Sequence, residues 1–268
     1  MRLHWTLLVA VALASLACGT ASTSPAPPVT PTRVPPTPPS APNAAEFPSQ
    51  ILDLTSWKLQ LPTNAAGEFT GRYAEVLQPM LARYVLAPYF VVRGDAVQFR
   101  APTNGLTTSG SMYPRSELRE MADGGRTQAS WSTTVGTHTM TIEQAITAVP
   151  TVKRHVVAGQ IHDGTSDVIT IRLELPRLFV DHGGTHGNTL STNYVLGTRF
   201  TVKIEVADGQ IQVYYNGAAT PADTYAKAGS SMYFKAGAYT QSNCQREAAC
   251  GPTNYGEVHI SRLDVTHR

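Results

Sequence analysis

The sequence predicts an all-β sandwich or barrel, and three observations support this fold class. Many short segments between residues 46 and 268 alternate apolar and polar residues with a period of two, as half-buried strands do. Turn signals rich in Gly, Asn and Asp separate these segments, and helical patterns are scarce. Strands at regular spacing with such turns are typical of sandwiches and barrels.

The predicted elements follow one another along the chain. QPMLARYVL predicts at most a turn or two of helix, and VLAPYFVVRGDAVQFRAP predicts two strands around a Gly-Asp turn. FTVKIEVADGQIQVYYNG predicts a hairpin, because alternating runs flank Asp208 and Gly209. The remaining predicted strands are YPRSELREM, HTMTIEQAITAV, HVVAGQIHD, DVITIRLEL, MYFKAGAYTQ and EVHISRLDVTH.

The first 45 residues predict export. Residues 1–17 resemble a signal peptide, with Arg2 before a short apolar run, and residues 18–45 form a Pro/Thr-rich linker. Cleavage before Cys18 would make the chain a lipoprotein anchored through that cysteine, whereas an ordinary cut site would release it. We therefore expect a protein that is secreted or lipid-anchored at the cell surface, with residues 46–268 as its folded domain.

The cysteines and the charge fit this context. Cys244 and Cys250 are the two that remain after Cys18, and an oxidising compartment favours a disulfide between them. The net charge of +2 comes from Arg2 and Arg33, so the folded part is balanced. No global basic field predicts nucleic-acid binding. No metal site and no protein partner are indicated, and we expect a monomer.

The segment YPRSELREM carries an unusual polar row. Arg115, Glu117 and Arg119 share one face of the predicted strand, and Ser116 and Leu118 share the other. A solvated edge strand with cross-strand ion pairs is one interpretation. The other is a carboxylate-binding row, since the planar guanidinium fork matches a carboxylate, with Glu117 holding the two arginines in place.

Two further segments carry polar rows. In VVAGQIHD, Gln160 and His162 share a face while Ile161 points into the core. In YFKAGAYTQ, one face holds Tyr233, Lys235, Gly237, Tyr239 and Gln241, and the opposite face is mostly apolar.

Together the three rows suit one kind of chemistry. They offer no nucleophile elbow, no carboxylate pair of a glycosidase and no cluster of metal ligands. They do offer groups that neutralise a carboxylate, accept one proton and donate another. This is what β-elimination from a uronic acid requires, because the C5 proton becomes acidic only when the adjacent carboxylate is neutralised.

The segments RSELRE, QIH and YFKAGAYTQ, with SWKLQLP and VKIEVADGQIQVYYNG, resemble the alginate lyases of polysaccharide lyase family seven. They occur in the same order as in that family, and the resemblance covers nearly all of residues 50–268. It implies a concanavalin-like β-jelly-roll sandwich whose concave sheet forms the substrate cleft. It also implies alginate, an anionic polysaccharide, as substrate, endo-acting β-elimination at the 1,4-glycosidic bond with unsaturated uronate ends, and no cofactor.

The resemblance also implies roles for residues. Arg115, Gln160 and His162 would neutralise the carboxylate at C5, and Tyr239 would donate a proton to the leaving oxygen. His162 would be the base on guluronate, and Tyr239 would act as both base and acid on mannuronate. Ile161, in QIH, is typical of members that accept guluronate.

Four further positions are implied to bind substrate or to orient the residues that do. Glu117 would orient the arginines, and the subsites would be lined by Arg119, Lys235 and Gln241.

Three alternatives remain at this point. A lyase for another polyuronate, such as glucuronan, would use the same carboxylate chemistry. A non-catalytic carbohydrate-binding module would need the arginines and aromatics but not both His162 and Tyr239. A glycosidase would need a second carboxylate to pair with Glu117.

Overall fold

The computed structural model describes residues 45–268. The predicted signal peptide, the predicted linker up to residue 44 and the lipidation candidate Cys18 lie outside the described residues. In the part that is described, no helix is both long and apolar enough to cross a membrane.

The structure consists of two antiparallel β-sheets, as the sequence predicts. Strands of the first sheet, in chain order, are β1 (Trp57–Gln60), β2 (Glu75–Val76), β5 (Arg115–Ala122), β6 (Thr127–Gln128), β8 (His155–His162), β9 (Asp167–Glu174), β10 (Arg177–His182), β11 (Thr185–Ser191) and β15 (Tyr233–Thr240). Strands of the second sheet are β3 (Phe90–Arg93), β4 (Ala96–Pro102), β7 (Thr137–Ala148), β12 (Phe200–Ala207), β13 (Gln210–Tyr215), β14 (Asp223–Ala226) and β16 (Tyr255–His267). Two short 3-10 helices cover Pro48–Gln50 and Met80–Arg83.

The order of strands places β5, β8 and β15 in the interior of the first sheet. Its spatial order is β11-β10-β9-β8-β15-β5-β1-β2, with β6 paired to β5, and the second sheet runs β14-β13-β12-β7-β16-β4-β3. The alternative that 113–121 is a solvated edge strand is therefore wrong, because β5 pairs on both sides and is buried along nearly all of its length.

The core lies between the sheets and is built from alternate residues of each strand. Leu118, Ile161 and Phe234 of the first sheet are fully buried, as are Ile142 and Ile204 of the second, and all five belong to one hydrophobic cluster. Burial of this apolar surface, at about 25 cal/mol per Å², drives the sheets together. It also leaves the polar alternates of β5, β8 and β15 on the outer face of the first sheet.

The predicted turns form as the residues suggest. Asp208 and Gly209 have φ angles of +51° and +72° and connect β12 to β13. Such positive values at both central positions are required by the hairpin turn that matches strand twist. Gly94, at φ +62°, begins the turn between β3 and β4.

The predicted disulfide joins Cys244 to Cys250, with a Cα–Cα distance of 4.9 Å. Glu247 lies within the loop that this bridge closes. Its carboxylate accepts hydrogen bonds from Ser242 Oγ (2.6 Å) and from the backbone nitrogens of Val152 (2.8 Å) and Lys153 (2.9 Å). Burial alone would raise the pKa of Glu247, but these donors hold it at about 2. The loop is thereby fixed to the segment that precedes β8.

Gly237 of β15 is a position that only glycine fits. Its φ is +140°, and a Cβ atom there would lie 2.6 Å from Ser116 O and 2.8 Å from Glu117 Cα. The pairing of β15 with β8 shifts register between Ala236 and Tyr239, whereas the pairing with β5 is regular. The glycine therefore allows β15 to bulge against one neighbour while it stays close to the other.

We expect the Gly237→Ala substitution to lower the free energy of unfolding by about 2–5 kcal/mol, from backbone strain and steric overlap together. Urea unfolding followed by fluorescence measures this change. The matched control is Gly251→Ala, where an added Cβ meets no atom within 4 Å. Equal stabilities for the two variants would contradict the explanation.

Candidate active site

Strand register brings the three predicted polar rows side by side. Between β5 and β15, Arg115 pairs with Tyr239 and Arg119 pairs with Lys235. Between β15 and β8, Lys235 pairs with Gln160 and Tyr233 pairs with His162. Because residues directly opposite in an antiparallel pair share a face, these side chains all lie on the outer face of the first sheet.

These side chains line a cavity of about 440 Å³ on that face. Segments 108–111 and 164–167 form part of its wall. The predicted site residues that line it are Arg115, Arg119, Gln160, His162, Lys235 and Tyr239. Gln60, Tyr73 and Tyr233, to which the sequence analysis assigned no role, line it as well.

Glu117 lies beneath the residues that line the cavity, is completely buried and joins three strands. Its carboxylate accepts hydrogen bonds from Arg115 Nη1 (2.9 Å), Lys235 Nζ (2.5 Å) and Gln160 Nε2 (2.5 Å). Burial alone would raise the pKa of this carboxyl. The charges of Lys235 and Arg115 and the hydrogen bonds outweigh burial and hold the pKa below its usual 4.5. Glu117 is therefore ionised at neutral pH.

Arg119 is held by a different set of contacts, so the prediction that Glu117 holds both arginines is confirmed for Arg115 and wrong for Arg119. The Arg119 guanidinium donates to Glu120 O (2.7 Å) and to Gln128 Oε1 (2.8 Å). It also lies 3.9 Å from the ring centroid of Tyr233.

The floor carries more positive than negative charge. Arg115, Arg119 and Lys235 contribute three cations, against the buried carboxylate of Glu117 and that of Asp167 in the wall. Burial, and then repulsion by Arg115, lower the pKa of Lys235 to about 8, although Glu117 opposes this. At neutral pH the floor thus attracts an anionic ligand, and the low dielectric of the buried floor strengthens that attraction.

His162 is oriented by its own neighbour in the chain. Nδ1 lies 2.6 Å from Asp163 O, and since a carbonyl oxygen can only accept, Nδ1 is the donor. The neutral ring therefore keeps its free lone pair on Nε2. Burial lowers the pKa of His162, as does the charge of Lys235, while the bond to Asp163 opposes the change. Tyr233 stacks on the ring at 5.2 Å, and its hydroxyl oxygen, 3.0 Å from Nδ1, is placed to accept a second hydrogen bond from the same N–H group.

Tyr239 lines the same cavity and lies six residues along β15 from Tyr233, the residue that pairs with His162. Its ring centroid is 3.9 Å from the Arg115 guanidinium, and its hydroxyl is 3.0 Å from Ser111 Oγ. The Tyr113 ring packs against it at 6.4 Å. Ser111 lies in the turn before β5, where strand alternation carries no information. Tyr113 belongs to the segment YPRSELREM and shares the alternating row of Arg115, but no role was predicted for it. Tyr233, in contrast, was visible on the row of β15.

Of the four residues predicted to bind substrate or to orient those that do, Glu117 and Gln241 do not line this cavity. Gln241 follows the last residue of β15, is 7% exposed, and its backbone nitrogen donates to His155 O at 3.2 Å. Its role in contacting substrate stays a prediction. Thr240 beside it points inward and donates to Ala101 O at 2.7 Å.

Across residues 45–268, no group of three or more His, Cys, Asp and Glu side chains is arranged as metal ligands. The predicted independence of metal stays a prediction, which the assay proposed below tests with a chelator.

Comparison with known proteins gives consistent results. The profile of a family described as "Alginate lyase" matches residues 52–267. A curated alginate lyase from Klebsiella pneumoniae is 24% identical over 290 residues, which cover 84% of this chain and 92% of that protein.

Solved structures that are similar over most of the chain include two alginate lyases. The alginate lyase from Corynebacterium sp. is 47% identical with a TM-score of 0.80, covering 84% of this chain and all of that one. The alginate lyase AlgAT5, of polysaccharide lyase family 7, is 54% identical with a TM-score of 0.77, covering 83% of this chain and 99% of that one.

We expect the Glu117→Gln substitution to lower the free energy of unfolding at pH 7 by about 3–5 kcal/mol, because it leaves buried cations without their counter-charge. The folded-state pKa of Glu117 is lowered, so its contribution is present above pH 4.5 and is lost as the pH falls through the folded-state value. Denaturant unfolding at several pH values measures the difference between variant and wild type.

The matched control is Glu205→Gln in the second sheet, where the carboxylate pairs with Lys203 at 3.3 Å and both side chains are partly exposed. A surface pair of this kind contributes about 0–1 kcal/mol. A Glu117→Gln variant as stable as the control would refute the role of the buried carboxylate.

Proposed function

Because the chain belongs to the alginate lyase family and is an enzyme that acts on alginate as a polysaccharide lyase, we propose that it cleaves the polymer by β-elimination in the cavity over β5, β8 and β15. One observation carries the proposal: His162, whose Nε2 can accept a proton, and Tyr239, which can donate one, line the same cationic floor. A binding module would need the floor but not this pair.

The floor prepares the substrate for proton removal. A uronate carboxylate placed over it would meet Arg115 and the second hydrogen of Gln160 Nε2, since the first is donated to Glu117. Neutralising the carboxylate stabilises the negative charge that develops when the C5 proton leaves. Glu117 keeps Arg115, Gln160 and Lys235 in place before substrate arrives.

Elimination then follows with its electrons balanced. His162 Nε2 takes the C5 proton, and the electron pair of the C5–H bond forms the C4–C5 double bond. The C4–O bond breaks, its electron pair goes to the leaving oxygen, and that oxygen takes the proton of Tyr239. The products are a new non-reducing end carrying an unsaturated uronate and a chain ending in a free hydroxyl.

We propose that guluronate is accepted, with His162 as base and Tyr239 as acid. The two groups stand on different strands, β8 and β15, so a proton can be removed from one side of the sugar and donated from another. On mannuronate, Tyr239 would act as both the base and the acid. Ile161, the residue that suggests guluronate, is fully buried beneath Gln160 and His162, so its influence must act through packing.

Endo action is also proposed, and the position of the site supports it. Strands β9, β10 and β11 extend the sheet on one side of the site, and β1 and β2 extend it on the other. A polymer can therefore occupy the outer face on both sides of the scissile bond. Export to the cell surface or beyond is proposed from residues 1–17 and agrees with the Cys244–Cys250 disulfide.

We expect the purified protein, with chelator present, to raise the ultraviolet absorbance of unsaturated uronate on guluronate-rich alginate faster than on mannuronate-rich alginate. Endo cleavage is checked by a fall in viscosity that precedes the release of small products. No absorbance change on either polymer would refute the elimination, and activity lost on chelation would refute metal independence. A higher rate on glucuronan would overturn the substrate assignment.

We expect the acid limb of the pH profile of kcat/KM on guluronate-rich alginate to have its midpoint below pH 6.5. Burial lowers the pKa of His162 from 6.5, and a base works only when it is neutral, so activity persists to lower pH than an exposed histidine allows. A His162→Asn variant should lose about 10²- to 10⁴-fold in kcat. The control, His259→Asn in the second sheet, should keep both rate and profile.

A further inference from the structure

The turn before β5 places a hydroxyl group against Tyr239. Ser111 N donates to Thr108 O at 3.0 Å, closing a four-residue turn in which Gly110 has φ +77°. The turn carries the Ser111 oxygen to the edge of the cavity, 3.0 Å from the Tyr239 hydroxyl.

The hydrogen bonds of Ser111 Oγ settle which atom donates. Two N–H groups point at this oxygen: Arg115 Nη2 at 3.2 Å and Tyr113 N at 3.2 Å. Neither nitrogen can accept, so together they occupy the two lone pairs of the hydroxyl. The Ser111 hydrogen is what remains, and its two acceptors are Tyr113 O and the Tyr239 oxygen, both at 3.0 Å.

This arrangement fixes where the proton of Tyr239 points. If the Tyr239 hydroxyl donated to Ser111, the serine oxygen would have to accept three hydrogen bonds on two lone pairs. The tyrosine proton is therefore directed away from Ser111 and into the cavity. When that proton is lost, the hydrogen of Ser111 can leave Tyr113 O and serve the phenolate oxygen.

We propose that Ser111 is a positioning residue for the acid step, which keeps the Tyr239 proton directed at the leaving oxygen and donates a hydrogen bond to the phenolate formed by the transfer. This inference rests on the proposed role of Tyr239 as the acid. Arg115 supports both effects, since it donates to Ser111 and lies beneath the tyrosine ring.

Other charged and titratable groups face Tyr239 from each packed element. Arg115 and Arg119 come from β5, and His162, Lys235 and Asp167 line the same cavity from β8, β15 and β9. Tyr73 and Tyr233 line it as well. Tyr113 packs on the ring, and Lys153 donates to the Tyr113 hydroxyl at 3.1 Å. Among these neighbours, Ser111 is the one whose side-chain oxygen is within hydrogen-bond distance of the phenol oxygen.

The first test is steady-state kinetics of Ser111→Ala on guluronate-rich alginate. A hydrogen bond to a developing anion is worth about 10- to 100-fold in kcat, and we expect a loss of that size with KM changed by less than about twofold. The alkaline limb of the kcat profile should move to higher pH, because the phenolate has lost a donor. Ser111→Thr, which keeps the hydroxyl, should restore most of the rate.

Two further variants separate positioning from a general effect on the loop. In a Tyr239→Phe background, Ser111→Ala should cost no further activity, because its effect passes through the phenol. Thr107→Ala removes an exposed hydroxyl from the same loop and should leave the kinetics unchanged. Thermal melts of all variants identify any loss that comes from unfolding.

A measurement without substrate keeps this inference separate from the proposed function. Tyrosine labelled with ¹³C at Cζ reports deprotonation by NMR, and Tyr239→Phe assigns the signal. We expect Ser111→Ala to raise the midpoint of that titration by about one pH unit, a tenfold change in equilibrium. This holds even for a preparation with no lyase activity.

The inference is overturned by any of three results. These are an unchanged tyrosine titration, a Ser111→Ala variant with normal kcat, or a rate loss that Ser111→Thr does not restore and that persists in the Tyr239→Phe background. An absence of elimination by the wild type, with the titration shifted as expected, would instead refute only the acid role of Tyr239.

Discussion

The buried carboxylate of Glu117 is the interaction on which the site depends. A lone ion in this position would be unstable, since burial of a charge costs several kcal/mol, and it persists because three donors from three strands converge on it. The same contacts determine the directions of Arg115, Lys235 and Gln160. Arg115 and Lys235 are thus held in place by hydrogen bonds to one buried carboxylate. The positive charge that this carboxylate does not neutralise attracts the anionic ligand.

The pairing register of the strands brings these three donors together, although they come from segments that are distant in the chain. Arg115, Gln160 and Lys235 come from β5, β8 and β15, which are neighbours in space although other strands separate them in sequence. The two glycines of these strands allow the close packing that this arrangement needs. Gly237 allows β15 to approach β5 closely, and a Cβ at Gly159 would lie 3.0 Å from Ile142 in the opposite sheet.

Much of this site was predictable from alternation, and the exceptions have physical reasons. Arg115, Gln160, His162 and Tyr239 were placed correctly because each lies within a strand whose faces differ sharply in polarity. Gln241 was expected on the same row, but β15 ends at Thr240, and alternation does not extend past a strand's end. The partners of Arg119 were missed because Gln128 belongs to β6, a two-residue strand without a pattern of its own. Ser111 lies in a turn, where neighbours are set by tertiary contacts that no local period encodes.

The geometry at Gly237 has a consequence for how tolerance to mutation should be interpreted in this protein. A scan of all substitutions would show position 237 to be as intolerant as the residues that face the ligand, although glycine offers no functional group to it. Selection at this position would act on the distance between the backbones of β15 and β5, and not on a catalytic or binding role. Libraries that aim to change which polymers are degraded are therefore better directed at segments 108–110 and 164–166, whose residues line the cavity and lie outside the strands of the sheet.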